Sequence, residues 1–307
     1  MSANMEARAS HEASFFGIVA KQVFHNVPPI PPHVNLKDQV AIVTGASSGL
    51  GMECARQLLQ LQLTHLILAV RSQSKGQDTA TTLQSEFPRA HVEVWLLDME
   101  SYDSVRGFAG RCEQLPRLDV VILNAGLGKM HFTRAASEHG REVTIQVNYL
   151  ATILLTILLV PIIKVKAVAA GKAEQLPGRI TIVTSDMSFY AKLDEKAPSI
   201  LDSVDSPEGY DGLLQYGKSK LLLTMGVSKL AKAVSADDCI INAVNPCAVR
   251  GTALMREAET LVPKIIIGLS NVILGRNLVD GTRQYLHSAL VLGKDSHGSF
   301  CDWKIRP

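Results

Sequence analysis

The 307-residue sequence has no CxxC pair, no HExxH motif and no surplus of either charge. Its five cysteines, Cys54, Cys112, Cys239, Cys247 and Cys301, are odd in number and widely scattered. That pattern fits neither a disulfide framework nor a cysteine zinc site, and it points to a reducing compartment. The histidines lack ligand spacing as well, so no metal site is expected. Lys plus Arg number 31 against 29 Asp plus Glu, a balance without the strong field that attracts nucleic acid or an anionic membrane. A small-molecule partner is then the default expectation. No clean apolar run reaches the roughly 20 residues that span a bilayer. YLATILLTILLVPII at 149–163 carries Pro161, stops at Lys164 and reads as a buried helix. SFFGIVAKQVF at 14–24 is short, broken by Lys21 and preceded by Glu6 and Glu12, unlike a signal peptide. A cytoplasmic location is expected. Peripheral membrane docking stays open, because Phe15, Phe16, Val19 and Val23 share a helical face.

What the sequence does contain is order. After the proline-rich linker PPIPP at 28–32, short apolar runs alternate with helix-length segments. Buried strands are expected at 39–44, 65–70, 91–97, 118–123, 179–184 and 239–244, and helices at 50–61, 73–86, 101–115, 137–169 and 213–234. Such alternation predicts an α/β fold: a doubly wound, Rossmann-like parallel sheet with helices on both faces. Residues 1–36 read as an N-terminal extension and 37–307 as one domain.

TGASSGLG at 44–51 joins the first strand to the first helix. Gly45, Gly49 and Gly51 there permit a tight turn and close approach of a pyrophosphate to the helix N-terminus, so a dinucleotide site is expected. At the end of the second strand, where an NAD site usually has an acid, LAVRSQSKG places Arg71. With Lys75 nearby and no carboxylate to repel a 2′-phosphate, NADPH/NADP+ is the expected cofactor. LLQYGKSKLLLT at 213–224 sets Tyr216 four residues before Lys220, on one helical face. By itself this reads first as an ordinary solvated helix.

TGASSGLG, LLDME with Asp98, Asn124-Ala125-Gly126 and YGKSK, in that order, resemble the short-chain dehydrogenase/reductase family over roughly residues 37–302. The resemblance implies that Gly45, Ser47, Ser48, Gly49, Leu50 and Gly51 cradle the cofactor, that Asp98 and Met99 border the adenine, and that Asn124, Ala125 and Gly126 support the sheet beside the adenosine ribose. It further implies a tetrad of Asn148, Ser185, Tyr216 and Lys220. Ser185 is preferred over Thr184 and Ser188 because it follows the fifth strand. In that scheme Tyr216 is the acid and base, and Ser185 orients the carbonyl. Lys220 holds the nicotinamide ribose and its ammonium lowers the phenol pKa from about 10, while Asn148 orders a water that relays protons. The activity implied is NADPH-dependent reduction of a ketone or aldehyde, with a homodimer or homotetramer as open assemblies.

Two stretches depart from the family pattern. The long interval between Ser185 and Tyr216 holds LDEKAPSILDSVDSPEGYDG, read either as a mobile flap over the site near 189–212 or as a surface insertion. In NPCAVRGT at 245–252, Cys247 replaces the usual glycine. Pro246, Val249 and Thr252 are still expected at the nicotinamide, and Cys247 is read as a small packed thiol rather than a nucleophile. The apolar stretch 253–275 is a pocket wall, core or an oligomer contact. The general character is that of fungal natural-product reductases, which points to a hydrophobic ketone substrate.

Overall fold

The computed structural model describes residues 26–137, 139–169, 177–250 and 275–306, with Ser14, Gly17, Ala20, Gln22 and Phe24 ahead of them. Thr252, Phe15, Phe16, Val19, Val23 and nearly all of 253–275 lie outside the described residues.

Six of its strands match the runs expected: β1 (Val40–Thr44), β2 (His65–Val70), β3 (His91–Leu96), β4 (Val120–Leu123), β5 (Gly178–Val183) and β6 (Cys239–Val244). A two-residue β7 (Phe300–Cys301) adds a seventh, giving the order β3-β2-β1-β4-β5-β6-β7 with every pairing parallel. The order reverses between β1 and β4. In a doubly wound sheet the crevice for a ligand opens at that reversal, beyond the carboxyl ends of the strands.

Strand side chains alternate between faces, so each strand feeds two cores. Val40, Ile42, Ile67, Ala69, Val121 and Leu123 pack into one with Trp95, Phe108, Leu155, Leu159 and Ile163. Ala41, Val43, Leu66, Leu68, Val70 and Ile122 pack into the other with Leu58, Tyr285 and Leu286. Burial on both sides explains why the strands other than β3 read as unbroken apolar runs.

The helices are α1 (Gly49–Gln60), α2 (Gln73–Glu86), α3 (Tyr102–Cys112), α4 (Thr152–Ala169), the single turn α5 (Ile200–Ser203), α6 (Gly212–Ala233) and α7 (Leu278–Leu286). Ahead of α4, a short α turn at Val143–Ile145 runs into a π turn at Gln146–Ala151. The helical stretch therefore starts at 143 and not at 137, because Glu142 caps it by accepting from the Thr144 and Ile145 amides. Val143–Lys166 is long and apolar enough to cross a membrane, with an 18-residue window of mean hydropathy 2.0, yet 61% of that window is buried in the fold. Leu155, Leu159 and Ile163, four residues apart, lie fully buried in the core on one face of the sheet.

Candidate active site

The turn after β1 shapes one end of the crevice. Gly45 has φ +65°, and a Cβ on Gly51 would come within 2.3 Å of the Gly45 carbonyl oxygen. Side chains there would close the cradle. Ser48 precedes α1 without a side-chain cap, and the first turn of α1 carries no acid, so its amide donors and positive potential face the crevice uncontested. These residues fit a pyrophosphate. Ser47 turns its carbonyl to Thr79 Oγ1 at 3.3 Å, which ties the turn to α2. Leu50 faces Gly281 and Val249, a Cβ on Gly281 lying 3.1 Å from Leu50 Cδ2 and 2.6 Å from Val249 Cγ2.

Asn124 locks the β1 and β4 turns together. Its amide donates to Thr44 O at 2.9 Å and its oxygen accepts from the Tyr285 hydroxyl at 3.2 Å, while the Ala125 amide donates to Thr44 Oγ1 at 2.9 Å. Asp98 holds its own loop by accepting from the Glu100 amide at 3.0 Å, and Met99 is buried beside it.

Arg71 stands at the end of β2 with its side chain 68% exposed, but its Nη1 donates to Glu100 Oε1 at 3.0 Å. The expectation of no nearby carboxylate is therefore corrected. Glu100 is distant in sequence, yet the loop after β3 lies beside the end of β2 because those strands are parallel neighbours. Lys75 sits on the exposed first turn of α2, its amide reaching Ser72 Oγ at 3.5 Å.

The tetrad converges at the carboxyl ends of β4 and β5. Tyr216 is buried on α6 next to Ser185, whose side chain acts to lower the phenol pKa. Ser185 Oγ also accepts from the Met187 amide at 3.2 Å, which fixes it at the head of a 3-10 turn. The competing hydroxyls are engaged elsewhere: Thr184 with Thr224 Oγ1 at 2.9 Å and Ser188 with Ser185 O at 2.7 Å. Lys220 Nζ donates to Val183 O at 2.8 Å and lies 5.7 Å from the centre of the Tyr216 ring. Gly126 makes room for this cluster, since a Cβ there would lie 3.1 Å from Asn148 Oδ1 and 3.5 Å from Lys220 Nζ.

Burial shifts both groups in the cofactor-free protein. It pushes the Tyr216 phenol well above its usual range, Ser185 draws it partly back, and Asp186 pushes it up further. Burial also pulls the Lys220 amine down to about 7. In the cofactor-free protein, then, the phenol stays neutral and is not acidified by a neighbouring ammonium, because both groups are desolvated together. The Asn148 side chain is occupied by Leu127 N at 2.9 Å, Leu127 O at 2.8 Å and Ser219 Oγ at 3.0 Å. It braces the loop after β4 against α6, and the π turn around it supplies the displaced backbone register that often marks functional sites.

The insert makes several contacts with the body of the domain. Glu142, fully buried, accepts from Tyr210 Oη at 3.1 Å and Gln215 Nε2 at 2.9 Å besides the two amides it caps. Arg134 and Arg141 pair with Asp205 and Asp202 at 3.2 and 2.9 Å, and the Phe132 and Tyr210 rings meet edge to face at 5.7 Å. Sequence spacing gave no sign of Glu142, whose role depends on two loops meeting. In the turn after β6, Pro246 O accepts from Gln284 Nε2 at 2.8 Å, and Val249 forms a β-bridge with Arg276. Cys247 has φ +62°, which explains why a glycine is usual at that position. Far from the crevice, the parallel register brings His65, His91 and Glu93 within 4.8 Å of one another, a juxtaposition the linear spacing of the histidines does not show. Glu93 there is already shared with Trp95 Nε1 at 3.1 Å and Arg111 at 3.5 Å.

A parallel sheet reversing at a glycine turn, with a buried tyrosine and lysine at the reversal, defines a nucleotide-dependent oxidoreductase architecture. The short chain dehydrogenase family profile matches residues 39–196. A short chain dehydrogenase of Hypocrea virens is 45% identical over 308 residues, covering 100% of this chain and 88% of that protein. One of Penicillium oxalicum is 45% identical over 305 residues, covering 97% of each. Among solved structures, the NADPH-dependent 3-quinuclidinone reductase of Rhodotorula rubra superposes with TM-score 0.65 at 18% identity, over 92% of this chain and 97% of that one. This chain belongs to the short chain dehydrogenase family, and it is an enzyme of that class.

Proposed function

We propose that the protein reduces a ketone or aldehyde on a hydrophobic small molecule with NADPH, and oxidises the alcohol in reverse. Residues 37–307 form the catalytic domain in this reading and 1–36 an extension. The observation that carries it is the convergence of Tyr216, Ser185, Lys220 and Asn148 around Gly126, where the sheet order reverses.

NADPH, when bound, supplies the hydride. The chain's own residues handle binding and the proton. The turn 45–51 and the head of α1 hold the pyrophosphate, Asp98 and Met99 border the adenine, and Arg71 with Lys75 meets the 2′-phosphate. Lys220 keeps one N–H on Val183 O and holds the nicotinamide ribose with the others, beside Pro246, Val249 and Thr252. Ser185 donates to the substrate oxygen while Tyr216 Oη delivers the proton to it. Its buried, neutral phenol suits the reduction direction, in which a proton is given away. Asn148 holds the loop and helix that frame the relay, which leaves water ordering to the main chain of the π turn. NADPH as cofactor is supported by Arg71 and by the NADPH dependence of the Rhodotorula reductase. A natural-product substrate is supported by the fungal relatives. A cytoplasmic location and a homodimer or homotetramer belong to the same reading.

Purified protein incubated with NADPH and carbonyl compounds of graded size tests it. Carbonyl-dependent loss of reduced-nicotinamide absorbance is expected, strongest for apolar ketones. Product formation without NADPH consumption would contradict it.

A further inference from the structure

The turn after β6 is held from an unexpected direction. Cys247 sits there in the left-handed region at φ +62°, a conformation that a residue with a Cβ adopts only when its surroundings impose it. From within the domain, Asn245 Oδ1 accepts from the Cys247 amide at 3.0 Å, Gln284 donates to Pro246 O at 2.8 Å and the Arg276 amide donates to Ala248 O at 2.9 Å. From the N-terminal side, Gln22 takes both polar groups of one residue: its Nε2 donates to Ala248 O at 2.9 Å and its Oε1 accepts from Ala248 N at 3.1 Å. One primary amide thus replaces a strand partner.

Gln22 is not placed there by chance contact of a loose tail. A few residues on, buried Val27 presents its carbonyl to Arg283 Nη1 at 3.2 Å, and Pro28 presents its own to His287 Nε2 at 2.8 Å. Arg283 and His287 are four apart, one within α7 and one just beyond it, so they form a single anchoring face. The same helix carries Gln284, which grips the turn from its other side. Extension and turn are therefore tied to one rigid element.

We propose that Gln22 is a positioning residue for cofactor binding: its paired hydrogen bonds fix the Ala248 peptide, which keeps the Cys247 turn left-handed and so holds Pro246 and Val249 at the nicotinamide. This rests on the reading above that the turn borders the nicotinamide. A glycine at 247 needs no such support, because it adopts positive φ without steric cost. The clamp and the cysteine are then coupled. The effect of losing one depends on the other.

The test is a double-mutant cycle with Gln22→Ala and Cys247→Gly. In the natural background, Gln22→Ala is expected to weaken NADPH binding about three- to tenfold, as for a lost pair of net hydrogen bonds, with kcat at saturating NADPH within about twofold. In the Cys247→Gly background the loss of affinity is expected to shrink below about twofold, the glycine relieving the turn. Unchanged affinity in Gln22→Ala, or equal losses in both backgrounds, would overturn the proposal. Hydrogen exchange of peptides covering 245–250 in the cofactor-free protein reads the clamp independently of the cofactor. Gln22→Ala should speed exchange there, and unchanged protection overturns the clamp. Failure of the natural protein to bind any nicotinamide nucleotide would instead sink the functional reading.

Discussion

Arg71 and Glu100 meet where a 2′-phosphate is proposed to bind, and their pairing sets a balance that the sequence hid. A phosphate gains from the guanidinium and is repelled by the carboxylate that the guanidinium already holds at 3.0 Å. Glu100→Gln is therefore expected to tighten NADPH about two- to tenfold while leaving NADH nearly unchanged, and Arg71→Asp to do the reverse for NADPH. Fluorescence titration with both nucleotides checks this. Lys220 gives a pH signature. Burial draws its folded pKa down to about 7, while the unfolded side chain titrates at about 10.4. Between those values the unfolded chain binds a proton that the folded chain does not, so stability rises with pH in that window and the contribution is lost as pH falls through 7. In the cofactor-free protein, the melting temperature of the natural chain relative to Lys220→Met should climb from pH 7 towards about pH 9, and a constant difference would contradict it. Residues carrying motif signals, such as Tyr216, Lys220 and Ser185, were legible in the sequence because their spacing from strands and glycines is local. Glu100, Glu142 and Gln22 were not. Each acts through a partner on a distant segment, and the same sequence would look the same without that partner.

Helices and turns show where local rules hold and where packing overrides them. The strands other than β3 were legible as apolar runs because both faces are buried, whereas β3 has His91 and Leu96 exposed. The long helix was expected from 137, yet it opens only at 143, since Glu142 spends its carboxylate on the amides that open the helical turn. The π turn at Gln146–Ala151 and the 9-residue α7 also lay beyond periodicity, the first because one extra residue leaves the apolar pattern intact, the second because it is short and rich in polar side chains. At this scale the insert stands or falls with Glu142. Glu142→Ala strands two amides, Tyr210 and Gln215, so a loss of about 3 kcal/mol is expected on urea unfolding. Faster hydrogen exchange across 199–212 should accompany it, and an unchanged exchange pattern would show that the insert is held by other contacts.

Across the whole molecule, the doubly wound topology was expected from the strand and helix alternation, because right-handed crossovers leave few other topologies. The closing edge did not follow. β7 is two residues long and is held by the chain's own end: Ser288 Oγ donates to Asp302 O at 2.7 Å, and buried Asp302 pairs with Arg306. Arg306→Ala should cost about 3–5 kcal/mol on chemical denaturation, since it leaves a carboxylate buried without its partner. The segment with Gln22, Val27 and Pro28 braces the same half of the sheet, through Ala248, Arg283 and His287. All of this scaffolding matters to function only if it serves proton delivery by one hydroxyl. The most direct measurement is ketone-dependent NADPH consumption by Tyr216→Phe beside NADPH binding by the same protein. Turnover should fall by about 10²- to 10⁴-fold with nucleotide affinity within about twofold, whereas turnover near that of the natural chain would contradict the assignment of Tyr216 as the acid.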